Sequence, residues 1–261
     1  MTAAEKQSYL ITFNKFQQNR EKAFAPAIFK ALNSQVIDAT HYIKSGVSNP
    51  LLYISSEPVI KALKPLYLDA GIVYGAKVRA SIIKQKARMP IGFNQRMIDL
   101  MTAYFQTDIL NISEGITDTT RQLIQDVLTR AQESGYGIDW IVEQLRNTEI
   151  SRMRARRIAR TETVTAANQG AVFAAQDTGL MLNKEWLATN DNRTRNTHRY
   201  TDGQKIGMND YFTLSDGVKM AQPGARTQEN GLATPGKDII NCRCTVLFEP
   251  VRDGGGRLIN T

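Results

Sequence analysis

Asn241-Cys242-Arg243-Cys244-Thr245-Val246-Leu247-Phe248 is the stretch on which the fold reading turns. From Cys242 to Phe248 it reads as a closing β-strand, whereas the first two thirds of the chain carry helical periodicity. Some sixty residues upstream, Lys184-Glu185-Trp186-Leu187-Ala188 reads as a short partner strand. The expected fold class is α+β: a mainly helical N-terminal part, then a small mixed α+β C-terminal module with a short sheet.

Outward from that stretch, the helices can be placed by their apolar spacing. Ile28, Leu32, Val36, Ala39 and Ile43 recur at helical intervals until Ser45-Gly46 and Asn49-Pro50 end the run. Ser55 or Ser56 caps a second helix with Pro58 in its first turn. Pro65, Gly71 and Gly75 within it predict a kink or a break. Lys84 to Gly92, with Lys86, Arg88 and Pro90, reads as an exposed basic connector. A helix is expected from about Asn94 through Phe105, and another capped by Thr117-Asp118, carrying Leu123, Ile124, Val127 and Leu128 and stopped by Gly135. A short helix on Ile138, Ile141, Val142 and Leu145 follows. A long one from about Ser151 to Gln176 is studded with Ala166, Ala167, Gly170, Ala171, Ala174 and Ala175, small residues that let another backbone come close. Beyond Ala188 turns dominate, and Gln222-Pro-Gly-Ala-Arg and Ala233-Thr-Pro-Gly-Lys predict a long surface loop.

Composition bounds the classes open to the chain. With 261 residues and 42% hydrophobic content it can bury a real core. The net charge of +8 makes polyanions favoured neighbours without bearing on fold. No stretch approaches the roughly 20 apolar residues of a membrane helix. The start, Met1-Thr-Ala-Ala-Glu-Lys-Gln, lacks the basic-then-apolar order of a secretory signal. Two cysteines do not make a disulfide scaffold, so synthesis in a reducing cytoplasm is expected.

Three constellations carry chemistry. Cys242 and Cys244, two apart on a strand, would point to one face and, with His198, offer thiolate and imidazole ligands to Zn2+ at about 2.0–2.3 Å. Asp191, Asp202 or water would have to complete the site. The alternative is two thiols packed in a core beside a hydrogen-bonded histidine. Arg152, Arg156 and Arg160 fall at i, i+4 and i+8 and form a stripe suited to a polyanion or an acidic partner, or simply a solvated face between Glu149 and Glu162. Asp191, Arg193, Arg195 and His198 combine a carboxylate, cations and a base of suitable pKa. No phosphate loop or nucleophile elbow accompanies them, and such residues more often brace one another. His41, alone on a helix rich in apolar residues, reads as a helix-surface or packed histidine.

Read in order, Arg157-Ile-Ala-Arg160-Thr161-Glu162-Thr163, Asn168, Gly170, Trp186, Asp191, Arg193, Arg195, His198, Asp202-Gly203, Pro223-Gly224 and Asn241-Cys242-Arg243-Cys244 resemble a known family. They look like the phage Mu F-like head-morphogenesis domain of minor capsid proteins in tailed phages and prophages. The resemblance covers roughly Thr119 to Pro250 and implies a helical part over 1–118, the Mu F-like domain over 119–250 and a tail over 251–261. The link between Pro223-Gly224 and Asn241 is longer than the family pattern, stretched by Ala225 to Lys237.

What the resemblance implies is a virion protein at the portal vertex or the inner head surface, made in the host cytoplasm. Its partners would be the portal protein or the major capsid protein, with genomic DNA nearby and no membrane. It would aid head assembly and, in some members, DNA packaging or delivery, without enzymatic activity. Two other readings stay open at this level: a zinc-assisted hydrolase or nuclease using His198 and Asp191, and a basic DNA-binding module.

Overall fold

The computed structural model of the chain describes residues 1–83, 91–147 and 152–261. Most of the expected basic connector, including Lys84, Lys86, Arg88 and Pro90, lies outside the described residues, as do Glu149 and Ser151. The helical first two thirds are as expected: α1 (Ala3–Lys44), α2 (Glu57–Ile83), α3 (Phe93–Ser134), α4 (Ile138–Asn147) and α5 (Arg152–Gln176). The Ser55 hydroxyl accepts the Glu57 N–H at 3.1 Å, so the predicted capping of α2 is in place.

Two helix expectations are corrected. α2 runs unbroken through Pro65, Gly71 and Gly75. Its glycines serve a close approach rather than a break: a Cβ on Gly170 of α5 would lie 2.1 Å from the Gly71 carbonyl oxygen, and one on Gly75 would lie 2.6 Å from that of Gly170. The small residues of α5 thus admit another backbone, as their composition suggests. Likewise, Thr117-Asp118 does not start a helix, because α3 passes straight through it. Both side chains find partners that let them sit mid-helix. Thr117 accepts the buried Gln35 amide at 2.8 Å, and Asp118 pairs with Arg121 one turn on.

Beyond α5 come β1 (Leu182–Leu187), α6 (Asn196–Thr201), β2 (Lys205–Gly207), β3 (Phe212–Thr213), β4 (Lys219–Met220), α7 (Gly236–Ile239) and β5 (Thr245–Pro250). Among the described residues β1 is the central strand of an antiparallel sheet in the order β2-β1-β5, and β3 and β4 form a separate hairpin. Trp186 pairs with Val246, and Lys184 with Phe248 on one side and Ile206 on the other. The closing strand begins at Thr245, later than the sequence suggests. Cys242 and Cys244 precede it in a turn held by the Cys242 N–H on the Ile239 carbonyl.

The segment Gln222–Ala225, expected at the surface, is buried. Gly224 sits in the left-handed region with φ +84°, and a Cβ there would stand 3.0 Å from the Thr165 backbone. A turn that must lie this flat on a helix needs glycine.

The chain divides into two compact units. One comprises Met1–Glu21, Leu66–Tyr104 and Arg160–Thr261; the other, Lys22–Pro65 and Phe105–Ala159. The predicted boundary at residue 118 falls inside α3, and residues 1–21 lie in the same unit as the sheet. Within that unit Leu10 packs with Leu187 and Leu247, flanked by Tyr9. The second unit is helical among its described residues. In it Arg154 is buried, donating to the Thr120 hydroxyl and the Ile116 carbonyl, and burial pulls its pKa to about 10.

Candidate functional site

The site is built where α5 meets the turn before β5. Arg160 forks onto Glu21 at 2.8 and 2.9 Å and also donates to the Asn241 side chain at 3.1 Å. The next residue, Thr161, accepts the Asn241 backbone N–H at 3.0 Å. Asn241 has φ +60°, a conformation asparagine tolerates better than other side-chain-bearing residues. One helical turn further, Thr165 donates to the Gly224 carbonyl at 3.1 Å. Asn168 then donates to both the Pro223 and Cys244 carbonyls, at 3.0 and 3.1 Å, and accepts from Thr245 at 2.9 Å. A single face of α5 therefore clasps two distant turns.

Glu162, on an adjoining face, is buried with Arg226 against one carboxylate oxygen and the Tyr67 hydroxyl donating to the other at 2.6 Å. Burial, reinforced by the Glu162 charge, pushes the Tyr67 pKa well up.

His198 on α6 faces the two cysteines. Its Nδ1 lies 3.7 Å from Cys242 Sγ and 3.4 Å from Cys244 Sγ, and all three residues are buried. The ring stands edge-on to the buried Trp186 at 5.2 Å between centroids. Both thiols are free. The Cys244 N–H points at Cys242 Sγ at 3.4 Å. The hydrogen bond between the thiols leads in drawing Cys242 well below the ordinary thiol range, with His198 adding to it. The same bond, together with burial, pushes Cys244 well above. These three side chains are the described residues whose donor atoms converge closely enough to hold a metal, within 4.8 Å of one another.

Asp191 stands apart from this group. Arg243 grips it with two bonds of 2.6 and 2.7 Å and holds its carboxyl well below the usual carboxylate range. Arg193 lies 3.5 Å from the same carboxylate, and Arg199 donates to the Asp191 carbonyl. Arg195 donates to the Ile240 carbonyl. Asp202 accepts the Ala188 N–H at 2.8 Å and the Asn190 amide at 3.0 Å. These charged residues brace the segment after β1 onto the Cys-Arg-Cys turn. Of the arginine stripe, Arg152 and Arg156 are exposed, whereas Arg160 is held by Glu21. His41 is exposed on α1.

Residues 122–247 match the family described as Phage Mu protein F like protein. Over these residues the chain is similar to that family. It is 24% identical over 244 residues to the Minor head protein GP7 of Bacillus phage SPP1, covering 90% of this chain and 74% of that one. It is also 33% identical over 111 residues to an NAD(+)–arginine ADP-ribosyltransferase EFV of Enterococcus faecalis, covering 41% of this chain. The chain spans only 20% of that transferase's length. No solved structure matches the chain.

The matched stretch also bonds to residues the sequence reading passed over. Glu21 and Tyr67 lie far upstream of the matched stretch, and only the fold brings them to Arg160 and Glu162. Tyr74 is similar: its hydroxyl lies 3.2 Å from Thr245 Oγ1 and 3.0 Å from the Tyr9 hydroxyl, and Tyr9 donates to the Val246 carbonyl. Arg243 carried a signal that went unused. It sits between two inward cysteines, so it must point away from them, towards whatever carboxylate is near.

Proposed function

We propose that this chain is a structural minor head protein of a tailed phage or prophage, acting in head assembly at the portal vertex or the inner head surface. The observation that carries this reading is the likeness to the SPP1 Minor head protein GP7 over 90% of the chain, helical regions included. The geometry supports a structural role. The motif residues Arg160, Thr161, Glu162, Asp191, Asn241, Cys242 and Cys244 bind one another or their neighbours within the fold. Partners would be the portal protein or the major capsid protein. The net charge of +8 suits genomic DNA as a neighbour and a part in its packaging or ejection. Among the described residues no helix is long and apolar enough to cross a membrane.

A hydrolase built on His198 and Asp191 fits less well, because the His198 ring is 1% exposed and the Asp191 carboxylate is gripped by Arg243. Transferase activity is not carried over, since only a fifth of that relative is matched. A DNA-binding role has one observation in its favour, the exposed Arg152 and Arg156.

The test is to delete the coding sequence from a phage or prophage that carries it, purify the particles and map the chain in wild-type heads by electron microscopy. Head density at the portal or inner shell, with defective heads in the deletion, is the expected result. Particles that lack the chain, or a deletion yielding normal infectious heads, would overturn the proposal.

A further inference from the structure

Hydrogen bonding alone leaves the group under Trp186 incompletely explained. Two thiols and an imidazole converge from segments more than forty residues apart, with exposures of 2%, 2% and 1%. His198 Nε2 is buried without a hydrogen-bond partner, so hydrogen bonding does not account for where the ring is placed. The Nδ1 edge of the ring is aimed between the two sulfurs. The two sulfurs lie 3.4 and 3.7 Å from that nitrogen.

We propose that Cys242, Cys244 and His198 bind one zinc ion, His198 through Nδ1. Zinc–sulfur bonds of about 2.3 Å and a zinc–nitrogen bond of about 2.0–2.1 Å, at a tetrahedral angle, separate sulfur from nitrogen by about 3.5–3.6 Å. The observed 3.7 and 3.4 Å bracket that value. Charge also balances. Each thiol releases its proton to solvent as its Zn–S bond forms, and two thiolates neutralise the dication in a pocket that charge would otherwise penalise. No oxidation or reduction is involved. The Cys244 N–H directed at Cys242 Sγ is the kind of donor that supports a ligating thiolate. Among the described residues the chain supplies three ligands, and the fourth position falls to a non-protein ligand such as water. Enclosed as it is, the ion would pin α6 to the turn before β5.

The inference does not rest on the head assignment, because it is read on the isolated full chain. Purified without chelators, the protein is expected to carry about one zinc per chain by elemental analysis. After stripping with EDTA, titration with Co2+ should produce the intense near-ultraviolet band of thiolate-to-cobalt charge transfer, saturating at one equivalent and displaced by Zn2+. Stripping should lower the melting temperature, and zinc should restore it. Cys242→Ser, Cys244→Ser and His198→Asn should each reduce zinc content at least tenfold. Should these variants fail to fold, the cobalt spectrum and the metal-dependent melting shift of the wild-type chain still decide the matter. A wild-type chain that takes up neither ion, or a Cys242→Ser chain that binds both as wild type does, would overturn the site.

Discussion

Replacing Gly170 by alanine sets two known effects against each other. In a helix interior the change is intrinsically favourable by about 1 kcal/mol. Here, however, the new Cβ would lie 2.1 Å from the Gly71 carbonyl oxygen and 2.5 Å from its Cα. Both are backbone atoms, so no side chain can rotate away. Reaching an ordinary contact of about 3.4 Å requires the facing stretches of α2 and α5 to part by more than 1 Å, and forced overpacking of this kind costs about 1–3 kcal/mol or more. Separating the helices also loosens Leu66, Tyr67 and Ala70, all fully buried in the same unit. The clash outweighs the propensity gain, and a net loss of about 2 kcal/mol is expected, or roughly 4–8 °C in Tm for a protein of this size. Gly115→Ala is the control. Gly115 lies inside α3 with nothing within 4 Å of its would-be Cβ, so only the propensity gain of about 0.5–1 kcal/mol remains. Scanning calorimetry measures both variants, and fluorescence of the buried Trp186 follows the unit that holds Gly170. A Gly170→Ala chain melting at or above wild type, with Gly115→Ala stabilised as expected, would refute the close α2–α5 contact.

Asn168→Ala leaves the Pro223 and Cys244 carbonyls and the Thr245 hydroxyl without their buried partner and should cost about 3 kcal/mol by urea denaturation; a loss under about 0.5 kcal/mol would show that the clasp is not carried by this residue. Glu162→Gln strands the Arg226 charge; because Arg226 keeps about a fifth of its side chain exposed, the expected cost sits near the lower end for a broken buried pair, about 3 kcal/mol. Burial lowers the Lys184 pKa from 10.5 to about 8, so between those values the unfolded chain binds more protons and stability rises with pH. The penalty is fully present below about pH 8, and a Lys184→Met chain should lack that increment of roughly 2–3 kcal/mol when melts at pH 7.5 and 10 are compared. Changing Cys242 and Cys244 together to serine puts two hydroxyls where buried sulfurs sat and should lower stability by roughly 2 kcal/mol; a double variant that melts like wild type removes the structural role of the thiols.

The helices and the two long strands were legible because their signals are local. Apolar spacing, the Ser55 cap and the stop at Gly135 belong to single segments. The errors arise where a local signal was answered by a distant side chain. Thr117-Asp118 carries the chemistry of a cap, but Gln35 satisfies Thr117, so α3 continues. Gly71 and Gly75 weaken a helix in isolation, yet against Gly170 they are what allows contact. Pro223-Gly224 has the composition of a surface turn and is nonetheless buried, because Thr165 and Asn168 of α5 donate to its carbonyls. The cysteines do lie beside His198, but the turn at Asn241 rather than strand alternation aims both sulfurs inward.

The stretch that matches the Mu F-like family, residues 122–247, does not coincide with either compact unit. Its Arg160 is neutralised by Glu21, its Glu162 is bonded by Tyr67, its Thr245 meets Tyr74, and its Leu187 and Leu247 are covered by Leu10. Met1 and Lys6 reach the sheet as well, on Glu249 and Glu185. Each of these partners lies within residues 1–21 or 66–104, so a chain cut just before residue 122 would expose the apolar side of β1 and β5. It would also leave Glu162 with one hydrogen bond fewer in the interior. The beginning of the chain and the Cys-Arg-Cys turn therefore depend on each other for folding. This also bears on the SPP1 relative. The likeness over 244 residues extends well beyond the matched residues 122–247, as that dependence would require.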